Sequence, residues 1–165
     1  MDKTKSIGLL NTAVVDELHA VHQYMYFHFQ LDDQGLGPLS ELFKRVAIQE
    51  MGHVERLAAR ILFLKGNVNM RAVGDVKQIV EPEQMLARAK EMEDASARAY
   101  NDAAVECGAN ADSVSKQTFE QLVQDEERHF DEFDKQLTNI RRFGPSYLAL
   151  QSFNRAPEGG NTGGH

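Results

Sequence analysis

Along most of this chain apolar residues recur at spacings of three and four, the period of a helix that buries one face. Four long stretches carry the pattern. The first predicts a helix from about Ser6 to Asp33 with the stripe Leu10, Val14, Glu17, Val21 and Tyr24, closed by Gly35-Leu36-Gly37. The second opens near Pro38, where proline suits a first turn. It carries Phe43, Val46, Glu50, His53, Leu57, Ile61 and Leu64, and closes on Lys65-Gly66, a basic last turn and a glycine cap. The third starts at Pro82, aligns Leu86, Ala89, Glu93, Ser96, Tyr100, Ala103 and Cys107, and ends at Cys107-Gly108. The fourth starts at Asp112 or Ser113, aligns Phe119, Leu122, Glu126, His129, Phe133, Leu137 and Ile140, and ends before Gly144-Pro145. A short fifth helix is expected from Ser146 to about Arg155. No stretch shows the sustained alternation of a strand.

The connections set the topology. The first and second helices are joined by a few residues, as are the third and fourth, so each pair forms an antiparallel hairpin. Residues Gly66 to Glu81 are long enough to travel the length of a bundle, which makes the second and third helices parallel neighbours. The expectation is an all-α four-helix bundle with one long crossover and a short fifth C-terminal helix. One domain spans 1–155, and the glycine-rich tail 156–165 is expected to be flexible.

Composition narrows the function. A formal charge of −7 excludes a nucleic-acid binder that works through a generally basic surface. The single cysteine, Cys107, excludes an intrachain disulfide and a zinc site of paired cysteines. No apolar run approaches the ~20 residues of a membrane span, and the N-terminus lacks a secretory apolar region. The expected compartment is the cytoplasm, with no membrane partner.

The four stripes hold the candidate chemistry. Each is interrupted near its middle by a glutamate, and the second and fourth add a histidine three residues on. Burying four carboxylates without partners costs several kcal/mol each in order of magnitude. No Lys or Arg occupies the stripes, so a metal is the natural neutraliser. Glu17 to Glu50 and Glu93 to Glu126 are both 33 residues apart, while Glu17–Glu93, Glu50–Glu126, His53–His129 and Tyr24–Tyr100 are all 76 apart. The chain thus reads as two helical hairpins, each delivering Glu and then Glu-x-x-His. Chance supplies about half an E-x-x-H in a chain of this composition, so one match means little, but two in register with two further core glutamates mean much more. Carboxylates and imidazoles without a thiolate favour iron or manganese over copper(I) or structural zinc. Four negative charges balance two divalent ions. Two irons under bridging carboxylates lie ~3.5–4 Å apart, and their joint oxidation delivers two electrons to O₂ or peroxide.

These residues resemble the ferritin-like di-iron carboxylate proteins, and more narrowly the bacterioferritins. The resemblance spans nearly the whole chain through the fifth helix. It rests on Glu17-Leu18-His19-Ala20-Val21-His22-Gln23-Tyr24, Gln49-Glu50-Met51-Gly52-His53, Arg60-Ile61-Leu62-Phe63-Leu64-Lys65-Gly66, Glu93 and Asp125-Glu126-Glu127-Arg128-His129. It implies two iron ions per subunit: Glu17 and His53 on one, Glu93 and His129 on the other, Glu50 and Glu126 bridging. Tyr24 and Tyr100 would orient a bridging carboxylate. Met51 follows Glu50 by one position and so points ~100° away around the helix. The resemblance implies that it ligates a haem iron (haem b or another iron porphyrin) on a subunit dyad, one haem per dimer, and Gly52 beside it would admit the porphyrin or a partner backbone.

The implied activity is that of a ferroxidase, oxidising Fe(II) to Fe(III) with O₂ or H₂O₂. The implied setting is iron storage in a homo-oligomeric shell of 24 subunits, with a ferredoxin-type reductant for release. There are departures from the family pattern. A cavity-side iron site of His and Asp maps onto Arg45 and Gln49, and no tryptophan is available as an electron route. His19, His22 and His28 read as structural or surface residues, Cys107 as a buried or helix-end thiol, and the Glu127 and Glu132 side of the fourth helix as a solvated face. Two other readings compete: a non-storage di-iron oxidase or peroxidase of rubrerythrin type, and a metal-free helical interaction protein. The absence of Cys-x-x-Cys pairs weighs against the former, and the buried carboxylates weigh against the latter.

Overall fold

The computed structural model describes residues 1–71 and 74–153. They form five helices: α1 (Lys3–Asp33), α2 (Gly37–Phe63), α3 (Pro82–Ala109), α4 (Ser113–Phe143) and α5 (Pro145–Phe153). No strand occurs among the described residues. The expected end of the fifth helix at Arg155 and the tail 156–165 lie outside them. No described helix is long and apolar enough to cross a membrane.

Helix ends follow local chemistry that apolar periodicity does not register. α1 begins three residues before the expected Ser6 because the Asp2 carboxylate accepts from the backbone N–H of Thr4 at 2.9 Å and of Lys5 at 3.4 Å. At the end of α2 the left-handed residue is Lys65 (φ 68°), not Gly66. The Lys65 N–H donates to Leu62 O and the Gly66 N–H to Ile61 O, closing a Schellman turn. Gly66 is needed for a different reason: a Cβ there would lie 2.8 Å from the Ile7 side chain. α3 likewise runs past Gly108 and closes with Ala111 in the left-handed region (φ 56°).

The heaviest packing lies within the α1–α2 and α3–α4 hairpins. Between the hairpins α1 lies beside α3 and α2 beside α4. α2 and α3 are therefore parallel, as expected, but stand across the bundle diagonal and are not neighbours. The crossover that joins them is clamped to α1 by side-chain amides. Asn11 bonds Asn67 O (3.0 Å) and the Asn69 N–H (2.7 Å), Gln23 bonds Lys77 O (3.0 Å) and its N–H (2.7 Å), and Gln34 bonds Val80 O (2.8 Å). These bonds satisfy loop backbone groups that make no ladder of their own.

The core is divided. One apolar cluster gathers Leu10, Val14, Leu57, Ile61, Tyr100, Cys107, Phe119 and Leu122. The other gathers Tyr24, Phe27, Phe43, Val46, Leu86, Phe133 and Leu137. The glutamates and histidines of the four stripes fall in the layer between them.

Candidate metal centre

All six predicted ligands converge in that layer. Glu17, Glu50, His53, Glu93, Glu126 and His129 are each at most 2% exposed. Their donor atoms form two groups, Glu17–Glu50–His53–Glu126 and Glu50–Glu93–Glu126–His129, and within each group one atom per residue lies within 4.8 Å of all the others. Glu50 and Glu126 belong to both. The sharing matches the arrangement expected of two metal positions bridged by those two carboxylates.

The polar atoms are poorly satisfied by one another. His53 Nδ1 lies 2.8 Å from Glu50 Oε2, 3.0 Å from Glu126 Oε1 and 3.1 Å from Glu17 Oε1. A single ring nitrogen has one proton and cannot serve three oxygens. His129 Nδ1 lies 3.0 Å from Glu50 Oε1 and 3.4 Å from Glu93 Oε2, without hydrogen-bond alignment. Both Glu50 oxygens, Glu93 Oε2, Glu126 Oε1 and His129 Nδ1 are buried with no hydrogen-bond partner. Burial pushes the Glu50 and Glu126 carboxyls well above the usual carboxylate range, and Glu17 and their other acidic neighbours add to it. Burial disfavours the His53 imidazolium, but the carboxylates of Glu126, Glu17 and Glu50 outweigh it and push the ring up to about 12. Orphaned lone pairs aimed at two shared points, in a set of oxygen and imidazole donors, fit a pair of divalent ions of the iron or manganese kind.

The tyrosines are second partners, with a correction. Tyr100 Oη donates to Glu17 Oε1 at 2.7 Å, and Tyr24 Oη donates to Glu93 Oε1. Both bond the unshared carboxylates, not the bridging ones, and each reaches across from the opposite hairpin. The cause is the α1–α3 pairing, which sets Tyr24 against Glu93 and Tyr100 against Glu17. Burial raises both phenols well above their usual value, so they remain neutral donors.

The outer edges of the two imidazoles were not foreseen. His129 Nε2 hydrogen-bonds Gln49 Oε1 at 2.8 Å, and His53 Nε2 lies 3.2 Å from Asp125 Oδ2. Gln49 and Asp125 each precede a Glu-x-x-His glutamate, and they too are 76 residues apart. That shared spacing was the available signal. Asp125 is itself held by Arg56 (2.5 Å) and Arg128 (2.8 Å). Burial works against its charge, but the Arg56 and His53 cations keep its carboxyl below the ordinary value.

Met51 stands outside the layer, 39% exposed on the outer face of α2, with the exposed Ile48 one turn before it. A Cβ on Gly52 would meet nothing within 4 Å. Arg45 is paired with Glu132 across α2 and α4, so Glu132 is not simply a solvated charge. Arg45 has no free ligand atom and Gln49 is engaged by His129, so these positions form no second metal site. His28 ties the α1–α2 turn through Ser40 Oγ (2.8 Å), a structural role. Cys107 is buried, and burial raises its thiol to about 11.

Residues 7–143 match the Ferritin-like domain family. A bacterioferritin of Rhodobacter capsulatus is 36% identical over 154 residues, covering 93% of this chain and 94% of that protein. A bacterioferritin of Desulfovibrio desulfuricans is 35% identical over 147 residues, covering 89% and 82%. Among solved structures, the Desulfovibrio desulfuricans bacterioferritin, described with its diiron site in different catalytic states, superimposes with a TM-score of 0.91 at 32% identity, over 99% of this chain and 95% of that one. The Rhodobacter capsulatus bacterioferritin, described with a metal-free dinuclear site and a haem iron in a crystallographic special position, gives 0.86 at 34% identity over 94% and 96%.

Proposed function

Since the chain belongs to the bacterioferritins of the ferritin-like family, we propose that this iron-storage protein is a ferroxidase whose substrate Fe(II) occupies the six-residue centre. Glu17 and His53 hold one ion, Glu93 and His129 the other, and Glu50 and Glu126 bridge. The observation that carries this reading is the set of buried, unpartnered donor atoms shared between the two ligand groups. A pair of Fe(II) supplies two electrons. With O₂ and two protons the products are two Fe(III) and H₂O₂, and with H₂O₂ and two protons they are two Fe(III) and two waters.

The chain's own groups prepare for that exchange. The raised carboxyls of Glu50 and Glu126 lose their protons on metal binding, and the four carboxylates together neutralise the two divalent charges. Tyr100 and Tyr24 hold Glu17 and Glu93 in place by donating to Oε1 of each. The apolar clusters above and below keep bulk water from the layer.

Met51 fits a haem iron. Its side chain is part-exposed on the outer face of α2 beside the exposed Ile48, and Gly52 leaves room next to it. In a dimer with a two-fold axis the same residue arrives from both sides. We propose one haem per dimer, haem b or another iron porphyrin, whose role is to carry electrons inward for iron release from a ferredoxin-type donor. The assembly proposed is the 24-subunit shell, in the cytoplasm. The exposed Phe143 and Leu150 flanking and within α5 are surface such a shell would cover.

Stopped-flow oxidation of stoichiometric Fe(II) tests the centre. The wild type is expected to oxidise two Fe(II) per chain in a fast phase, and Glu50→Ala to lose that phase while remaining helical. A wild-type rate in Glu50→Ala would overturn the assignment.

A further inference from the structure

The two halves of the centre are related by the 76-residue repeat, but the groups behind their histidines are chemically different. Resting on the di-iron reading, we propose that Gln49 makes the Glu93–His129 half the weaker and more readily exchanging metal position, while Asp125 fixes the Glu17–His53 half. Gln49 and Asp125 are positioning residues: each faces the Nε2 edge of a histidine whose Nδ1 faces the metal layer.

A carboxylate behind a ligating imidazole accepts its remaining N–H, fixes the tautomer and makes the ligating nitrogen more basic. Asp125 Oδ2 stands 3.2 Å from His53 Nε2, within reach to take up this bond when a metal aligns the ring, and its seat is rigid because Arg56 and Arg128 hold its two oxygens. Gln49 offers His129 only a neutral carbonyl at 2.8 Å. An amide also has a second orientation. Turned end over end, it presents its NH₂ to Nε2, and the imidazole proton must then sit on Nδ1, where it blocks ligation. An aspartate has no donor face and imposes no such competition. The surroundings differ to match. The repeat position of Arg128 is Gly52, and that of Arg56 is Glu132, which is engaged with Arg45. Nothing beside Gln49 reproduces the two-arginine clamp.

The expected consequence is stepwise loading: the Glu17–His53 position fills first and the Glu93–His129 position loads and releases second. Removing or weakening a group behind a metal ligand typically costs 10–100-fold in affinity, so the two steps should differ by about tenfold or more.

Cobalt(II) is the probe, added to the assembled metal-free protein and followed by its visible bands and by calorimetry. Two ions per chain are expected in two resolved steps. Crystals at one equivalent should show anomalous cobalt density against Glu17 and His53. The near-isosteric Gln49→Glu should raise the second affinity about tenfold and merge the steps. Asp125→Asn should weaken the first step. Two equal steps in the wild type, or first occupancy at Glu93 and His129, would overturn the asymmetry and leave the centre standing. Fewer than two cobalt ions per chain would overturn the centre itself and the asymmetry with it. Gln49→Glu that folds, binds two cobalt ions and leaves both steps unchanged would remove Gln49 from the account.

Discussion

Each of the six buried ligands sits where a leucine would suit the bundle better, and at Glu50, Glu126 and His53 the strain shows as proton affinity. Glu50 and Glu126 keep their protons in the fold at pH values where an unfolded chain has released them. His53, up at about 12 in the fold, does the same from its ordinary 6.5 upward. A group whose folded value is raised contributes stability below its unfolded value and loses it as pH rises through the folded one. The metal-free protein should therefore melt at progressively lower temperature from about pH 6 to pH 9, across the ordinary histidine value and beyond. Loading with a divalent ion replaces those protons, so the slope should flatten. Calorimetric scans of both forms across that range check this. An apo protein that gains stability with rising pH would show that these groups are not the ones straining the fold. At this scale the ligands were legible because each is a charged residue on an apolar stripe, an offence against burial that needs a cause. The partners of Tyr24 and Tyr100, and the roles of Gln49 and Asp125, were not. They depend on which hairpin faces which, a matter of packing between helices that spacing within a helix does not contain.

At the scale of elements, four helices and their crossover could be read from apolar periodicity and sparse proline, whereas their ends depended on single side chains. Asp2 extends α1 through a cap that lies outside the apolar pattern. Lys65 and Gly66 separate two reasons for a glycine that the sequence merges. Lys65 takes the left-handed turn, which costs a residue with a Cβ about 1–2 kcal/mol. Gly66 gives way to Ile7. Lys65→Gly should thus stabilise the protein by up to about 1 kcal/mol, and Gly66→Ala should destabilise it by about 1–3 kcal/mol, the usual range for forcing an atom into a packed site. Denaturant midpoints of the two variants decide the matter, and a stabilising Gly66→Ala would refute the close-approach account. The parallel course of α2 and α3 followed from the crossover length, but their diagonal placement did not. A long connection permits either, and the choice rests on the facing surfaces of four helices at once.

At the scale of the whole molecule, the outer face of α2 is separated from the metal layer by the helix itself. Met51 lies on that face, ~100° round from Glu50. Met51→Leu keeps volume and apolarity at a cost typically below ~1.5 kcal/mol. It should therefore yield an assembled, haem-free protein with near-normal initial Fe(II) oxidation and slower reductive release of stored iron. An absorption spectrum with unchanged porphyrin content and axial ligation would remove Met51 from that role. The sequence pointed to this residue only through its neighbours in a family motif, since one exposed methionine carries no meaning alone. The structure adds the open space at Gly52 and the exposed Ile48 one turn away.

The di-iron centre requires two iron ions to share Glu50 and Glu126 inside a single chain. Anomalous scattering at the iron edge, from crystals loaded anaerobically with Fe(II), tests it most directly. Two peaks per chain are expected about 3.5–4 Å apart, one against Glu17 and His53, the other against Glu93 and His129, both in contact with Glu50 and Glu126. A single peak, or iron bound elsewhere with this layer empty, would contradict it.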